Sequence, residues 1–171
     1  MIKTDYITRA IKFYNTIARD IQNFEEPEEY KKYFAYYNMH HYRNVKVANG
    51  CARVAIITSD YVIKLDCGDP DYYGGCAEEI RAYKRACIRG VQGAFAPITE
   101  IAPGVYVMPK CKCNYYKGWD DEPYTVEQFY RGLSKTERDF VVKFIDDIHE
   151  GNIGKLHKKI VLVDYAANRC S

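Results

Sequence analysis

Apolar positions along the chain change their period several times, and each change marks an element. Tyr6, Ile7, Ala10, Ile11, Tyr14, Ile17, Ala18 and Ile21 recur at helical spacing, which predicts an amphipathic helix with Thr4 or Asp5 as its cap. A second helix is predicted from Pro27, with Glu28 and Glu29 in its first turn and Tyr30, Tyr33, Phe34 and Tyr37 along one face. His40 and His41 fall near its end, where positive charge is favourable, and read as structural. From Asn44 the period becomes two. Val45 and Val47 flank Lys46, Val54 to Ile57 forms a second run, Ser59-Asp60 makes a turn, and Tyr61-Val62-Ile63-Lys64-Leu65 returns. This predicts a three-strand meander built on hairpins.

Helical spacing resumes over residues 76–89, with Ile80, Tyr83, Ala86 and Cys87 on one face. Residues 98–101 and 105–109 then read as a hairpin around Pro103-Gly104. Residues 111–123 are polar and aromatic and read as a linker, with Trp119 packed. A short helix is expected over 125–131. A longer one follows a Ser134/Glu137 capping box and carries Phe140, Val141, Phe144, Ile145 and Ile148. Last comes the apolar strand run Ile160-Val161-Leu162-Val163.

Composition narrows the class. A chain of 171 residues holds one domain or two small lobes. The formal net charge of +2 is too mild to argue for nucleic-acid or membrane-surface binding, and no run reaches the length of a membrane span. The 17 tyrosines read as half-buried packing. Seven cysteines without framework spacing, and no secretory signal ahead of them, suit reduced thiols in the cytoplasm, the host's if the source is viral. Cys111-Lys112-Cys113 is the one close pair, and no further ligands converge on it to suggest zinc.

The chemistry concentrates near the end of the sequence. In Asp146-Asp147-Ile148-His149-Glu150-Gly151-Asn152-Ile153-Gly154, an acid precedes a carboxamide by five residues, and the last strand delivers Asp164 twelve residues later. One carboxylate that accepts a proton, plus two oxygen ligands for Mg²⁺ on ATP phosphates, is a set suited to phosphoryl transfer. Lys64 lies inside an apolar strand and needs a partner there. Glu79, in register with Tyr83, is chosen over its neighbour Glu78 to face the sheet.

These residues resemble those of the protein-kinase-like superfamily. The loop is closest to that of aminoglycoside phosphotransferases and short bacteriophage protein kinases, where Asp, an apolar residue and His precede Gly-Asn-Ile. The resemblance covers roughly residues 44–166. It implies Asp147 as the catalytic Asp, Asn152 and Asp164 as metal ligands, and Lys64, paired with Glu79, as the phosphate-holding lysine. Gly50 would match the second glycine of the phosphate loop and Val54 the valine covering adenine. Met108 would fall near the gatekeeper position and Cys111 in the hinge. Departures are Ile145 where the family usually has His, Tyr165-Ala166 in place of Phe-Gly, and Ala48 for the first loop glycine with no third.

The implied fold is α+β and bilobal. Residues 1–43 would form an N-terminal helical extension, 44–110 a five-stranded antiparallel small lobe, and 111–171 a truncated, helical large lobe. Only seven residues follow Asp164, too few for the activation segment and docking helices of a typical protein kinase. The implied activity is that of a minimal ATP- and Mg²⁺-dependent kinase acting on Ser or Thr of a protein. The degenerate glycine loop keeps open a pseudokinase that binds a protein partner, and the loop sequence keeps open a small-molecule phosphotransferase.

Overall fold

The computed structural model describes residues 8, 11–12, 46–49, 53–66, 75–114 and 123–165. Thr8, Ile11 and Lys12 are helical; the remainder of the expected N-terminal helices, His40, His41, Gly50 and Trp119 lie outside the described residues. The architecture is α+β with antiparallel strand pairs, and the chain divides into two compact units.

The first unit draws on Met1–Cys76 and Thr99–Met108. Its sheet contains β1 (Lys46–Asn49), β2 (Arg53–Ile57), β3 (Tyr61–Asp66), β4 (Thr99–Ala102) and β5 (Val105–Pro109), in the order β1-β2-β3-β5-β4. The meander and the hairpin expected from alternation are both present. Thr58 closes the β2–β3 turn: its Oγ1 donates to the Tyr61 carbonyl (2.7 Å) and accepts from the Tyr61 N–H (3.1 Å). At the β4–β5 turn Pro103 sets one corner and Gly104 takes φ 74° at the next, a conformation costly for any residue with a Cβ. Ile56, Ile63, Leu65 and Val105 are completely buried and form the centre of this unit. Asp66, at the end of β3, accepts from the Cys76 N–H (2.6 Å). Burial first, and the Asp66 and Glu100 charges next, push the Tyr106 phenol far above its usual value.

The second unit holds Ala77–Ile98 and Pro109–Ser171. It contains most of α1 (Cys76–Ile88), the single-turn 3₁₀ helix Gln92–Ala94, β6 (Lys112–Cys113), α2 (Val126–Arg131), α3 (Lys135–Phe144), the 3₁₀ turn Glu150–Asn152, β7 (Ile153–Leu156) and β8 (Lys159–Leu162). The strands form a small sheet in the order β6-β7-β8. The β7–β8 turn is tight, with His157 at φ 53°. Helix α3 starts where the sequence predicts: Ser134 Oγ accepts from the Glu137 N–H (3.2 Å), and Glu137 Oε2 accepts from the Ser134 N–H (2.8 Å). Lys159 adds a 2.8 Å ion pair to Glu137 Oε1. Burial alone would raise the Glu137 carboxyl, but Lys159 and the two Ser134 bonds outweigh it and hold the group below its ordinary range.

The stretch Ala77–Ile98 belongs with the second unit. The reason is packing: Phe95 stacks edge-on against Phe140 (6.0 Å), Ala96 N–H donates to the Leu162 carbonyl (2.8 Å), and Arg85 lies 5.1 Å from the centre of the Phe144 ring. The stretch 111–123 is not simply a linker, since Lys112 and Cys113 pair with Lys155 and Gly154 of β7. On α1 the buried stripe takes in Cys76, Glu79, Ile80, Ala82 and Ala86, and Cys87 faces solvent.

Candidate active site

The loop after α3 is assembled locally. Ile145 ends the helix: its N–H still reaches the Val141 carbonyl (2.9 Å), but its backbone is extended and its side chain is buried. Where the resembled family usually has His, this chain therefore has an apolar anchor that fixes the start of the loop in the core. Asp146 and Asp147 follow, exposed. The chain then turns through Glu150–Asn152, closed by Asn152 N–H donating to the His149 carbonyl (2.9 Å).

Asn152 is buried, and both bonds of its amide nitrogen go to one residue. Nδ2 donates to the Asp147 carbonyl (3.0 Å) and to Asp147 Oδ2 (3.2 Å). This use of the amide hydrogens turns the side-chain oxygen Oδ1 away from Asp147, and Oδ1 has no hydrogen-bond partner among the described residues. The Asn152 carbonyl accepts from Val163 N–H (2.9 Å), continuing the β7–β8 ladder by one step. Asp164 is the next residue after Val163, so the ladder sets Asn152 and Asp164 at the same end of the hairpin. Asp164 is half-buried.

His149, quoted in the motif but given no role from the sequence, is built into the loop. Its Nδ1 accepts from Gly151 N–H (3.0 Å), which leaves the proton of a neutral ring on Nε2. Nε2 lies 3.7 Å from Asp147 Oδ1. The Asp147 carboxylate thus has a donor beside each oxygen while its side chain stays 66% exposed, open to an incoming hydroxyl.

Tyr165 follows Asp164 and is the largest fully buried side chain described. Its hydroxyl donates to the Ala96 carbonyl (2.7 Å), its N–H donates to Glu79 Oε1 (3.2 Å), and its ring stacks edge-on against Phe95 (5.0 Å). Ala96 in turn donates its N–H to Leu162. Ala96 is therefore gripped at both its N–H and its C=O by residues on either side of Val163 and Asp164, which leaves that pair little freedom. Burial, then the Glu79 carboxylate, drives the Tyr165 phenol far above its usual value.

The remaining expected site residues are distributed as follows. Lys64 is buried in β3, opposite Ala55 of β2, between Ile63 and Leu65. Val54 sits in β2 opposite Leu65, and Met108 is buried in β5. These three belong to the first unit, whereas Glu79, Cys111, Asp147, Asn152 and Asp164 belong to the second. Glu79 is completely buried; Glu78 instead pairs along the helix with Arg81 (3.5 Å). Cys111 is buried, its thiol 3.7 Å from the Pro109 carbonyl, and among the described residues Cys76, Cys87, Cys111 and Cys113 form no disulfide. Among the described residues no three His, Cys, Asp or Glu side chains cluster to hold a metal, and no helix is long and apolar enough to cross a membrane.

No family model matches the chain, and no curated protein matches it. Among solved structures, the co-crystal structure of WbdD and the kinase inhibitor LY294002 is similar, with 16% sequence identity and a TM-score of 0.36. The match covers 71% of this chain and 32% of that one.

Proposed function

We propose that this chain is a minimal ATP- and Mg²⁺-dependent kinase that transfers the γ-phosphate to a Ser or Thr hydroxyl of a protein. The observation that carries the reading is the arrangement of Asn152. Its amide hydrogens are committed to Asp147, its Oδ1 is left as a hard oxygen ligand, and its backbone is paired next to Asp164. This donor set fits Mg²⁺, which binds one or two protein oxygens and takes phosphate oxygens and water for the rest of its octahedron. A set of only two side chains is therefore enough, although no larger acidic cluster is present among the described residues. When bound, Mg²⁺ neutralises charge that develops on the transferred phosphoryl group.

The protein groups have separate tasks. Asn152 Oδ1 and Asp164 hold the cation. Asp147, oriented by Asn152 and flanked by His149, accepts the hydroxyl proton from an exposed position. Lys64 supplies positive charge for the nucleotide phosphates from within β3. Backbone groups near Met108 and Cys111 serve the adenine.

Phosphate transfer from labelled ATP with Mg²⁺, to the chain itself and to test acceptors, checks this. Asp147→Asn should slow transfer by about 10²–10⁴-fold, the usual cost of losing a general base. Asp146→Asn should have little effect, because both Asn152 amide bonds go to Asp147. Transfer to small hydroxyl compounds but not to proteins would move the reading to a small-molecule kinase. A wild-type chain that transfers no phosphate would leave the protein-binding alternative in its place.

A further inference from the structure

We infer that Asn114, outside the catalytic motif, is the positioning residue that sets the orientation of His149 and, through it, of Asp147. This rests on the reading of the Asp147–Asn152 loop as the phosphoryl-transfer loop. Asn114 directly follows β6 and is half-buried. Its side chain makes three hydrogen bonds. Oδ1 accepts from the Tyr124 N–H (2.7 Å), and Nδ2 donates to the Tyr124 carbonyl (2.9 Å) and to the Glu150 carbonyl (2.8 Å). Two of these bonds imitate a strand pairing with Tyr124, just ahead of α2. That pairing immobilises the amide group. The third bond spends the remaining donor hydrogen on the catalytic loop, 36 residues away in sequence.

The Glu150 carbonyl and the Gly151 N–H are two ends of a single planar peptide group, and a trans peptide points them in opposite directions. Asn114 holds the carbonyl end. The N–H end donates to His149 Nδ1 (3.0 Å). The far side of that imidazole, Nε2, faces Asp147 Oδ1 at 3.7 Å. Rotation of this peptide would therefore break the Asn114 and His149 contacts together. Nothing within the turn replaces Asn114: the hydrogen bond that closes it runs from Asn152 N–H to the His149 carbonyl and leaves the Glu150 carbonyl aside. No other residue type fits the position equally well. An Asp would set carboxylate oxygens against two carbonyls, and a Ser is too short to span Tyr124 and Glu150.

Asn114→Ala and Asn114→Ser are compared with Thr125→Ala. The Thr125 change removes the α2 cap bond to Gln128 N–H (3.1 Å) next to Tyr124 but touches nothing in the loop. The first readout is amide hydrogen exchange at Gly151 and Asn152 in the full chain without nucleotide. Either Asn114 variant should speed exchange there by about tenfold, the scale of one lost hydrogen bond, and Thr125→Ala should not. The second readout is the kinetics of phosphate transfer. The Asn114 variants should lower kcat with the KM for ATP nearly unchanged, because Asp147 binds no nucleotide. Unchanged exchange at both amides in the Asn114 variants, or equal acceleration in Thr125→Ala, overturns the inference. If the wild-type chain transfers no phosphate, the kinase reading fails, and the exchange data still decide whether Asn114 holds the loop.

Discussion

Replacing Tyr165 with Phe removes one oxygen from the centre of the second unit and tests how firmly Asp164 is held. The ring contact with Phe95 and the backbone bond to Glu79 are kept, while the hydrogen bond to the Ala96 carbonyl is lost. Ala96 is completely buried and Tyr165 nearly so, so water has little access to the orphaned carbonyl. A buried hydrogen bond contributes about 1 kcal/mol, and a buried acceptor left unsatisfied costs about 1–3 kcal/mol, so the variant should lose about 1–3 kcal/mol at pH 8. The pH dependence gives a second, sharper signature. Burial and the Glu79 charge raise the Tyr165 phenol above its ordinary value of 10.0, so the folded chain keeps the proton where the unfolded chain releases it. The stabilising contribution is complete below pH 10 and falls as pH rises beyond it, by about 1.4 kcal/mol per unit for one proton. Tyr106 is raised in the same direction, so the wild type should destabilise steeply above pH 10 and Tyr165→Phe by one proton less. Urea unfolding of both proteins between pH 8 and pH 11 measures this. Equal stability at pH 8 together with equal alkaline slopes would refute the role given to the Tyr165–Ala96 hydrogen bond.

Two further outcomes follow from the same unit. Gly154→Ala would set a Cβ 3.0 Å from the Cys111 Cβ, 3.0 Å from the Cys113 sulfur and 3.1 Å from a Val163 methyl, and overpacking of this kind should cost about 1–3 kcal/mol in urea unfolding. Lys159→Met removes the principal hydrogen-bond partner that holds the Glu137 carboxyl down. That stabilisation is present above the ordinary value of 4.5 and lost as pH falls through the lowered one, so the variant should lose stability at neutral pH and show a shallower acid-side decline.

Elements governed by local rules were legible in the sequence. The Ser134/Glu137 box reads directly from its three-residue spacing, and the structure contains both of its bonds. The meander follows from alternation, and the turn at Ser59-Asp60, closed by Thr58, sets the β2–β3 register. On α1, Glu79 is completely buried and Glu78 half-buried. Long-range contacts left no such trace. Nothing in the order of residues reveals that Ala96 meets Leu162 and Tyr165. A two-residue strand such as β6 carries no period to detect. Asn114, in a polar stretch, looked like any loop asparagine, and only its reach to Glu150 sets it apart. His149 was visible as part of the motif, but its task depends on a ring nitrogen pinned by Gly151, which the sequence does not specify.

Calorimetric titration of ATP with and without Mg²⁺ distinguishes the roles proposed for Asn152 and Asp164, as Mg²⁺ ligands, and for Asp147, as proton acceptor. The proteins to compare are the wild type, Asp147→Asn and Asp164→Asn. Mg²⁺ should strengthen ATP binding to the wild type and to Asp147→Asn alike, and Asp164→Asn should lose that Mg²⁺-dependent gain because a charged oxygen ligand is gone. A wild-type chain that binds no ATP, or an Asp164→Asn variant that keeps the full Mg²⁺-dependent gain, would rule out these roles.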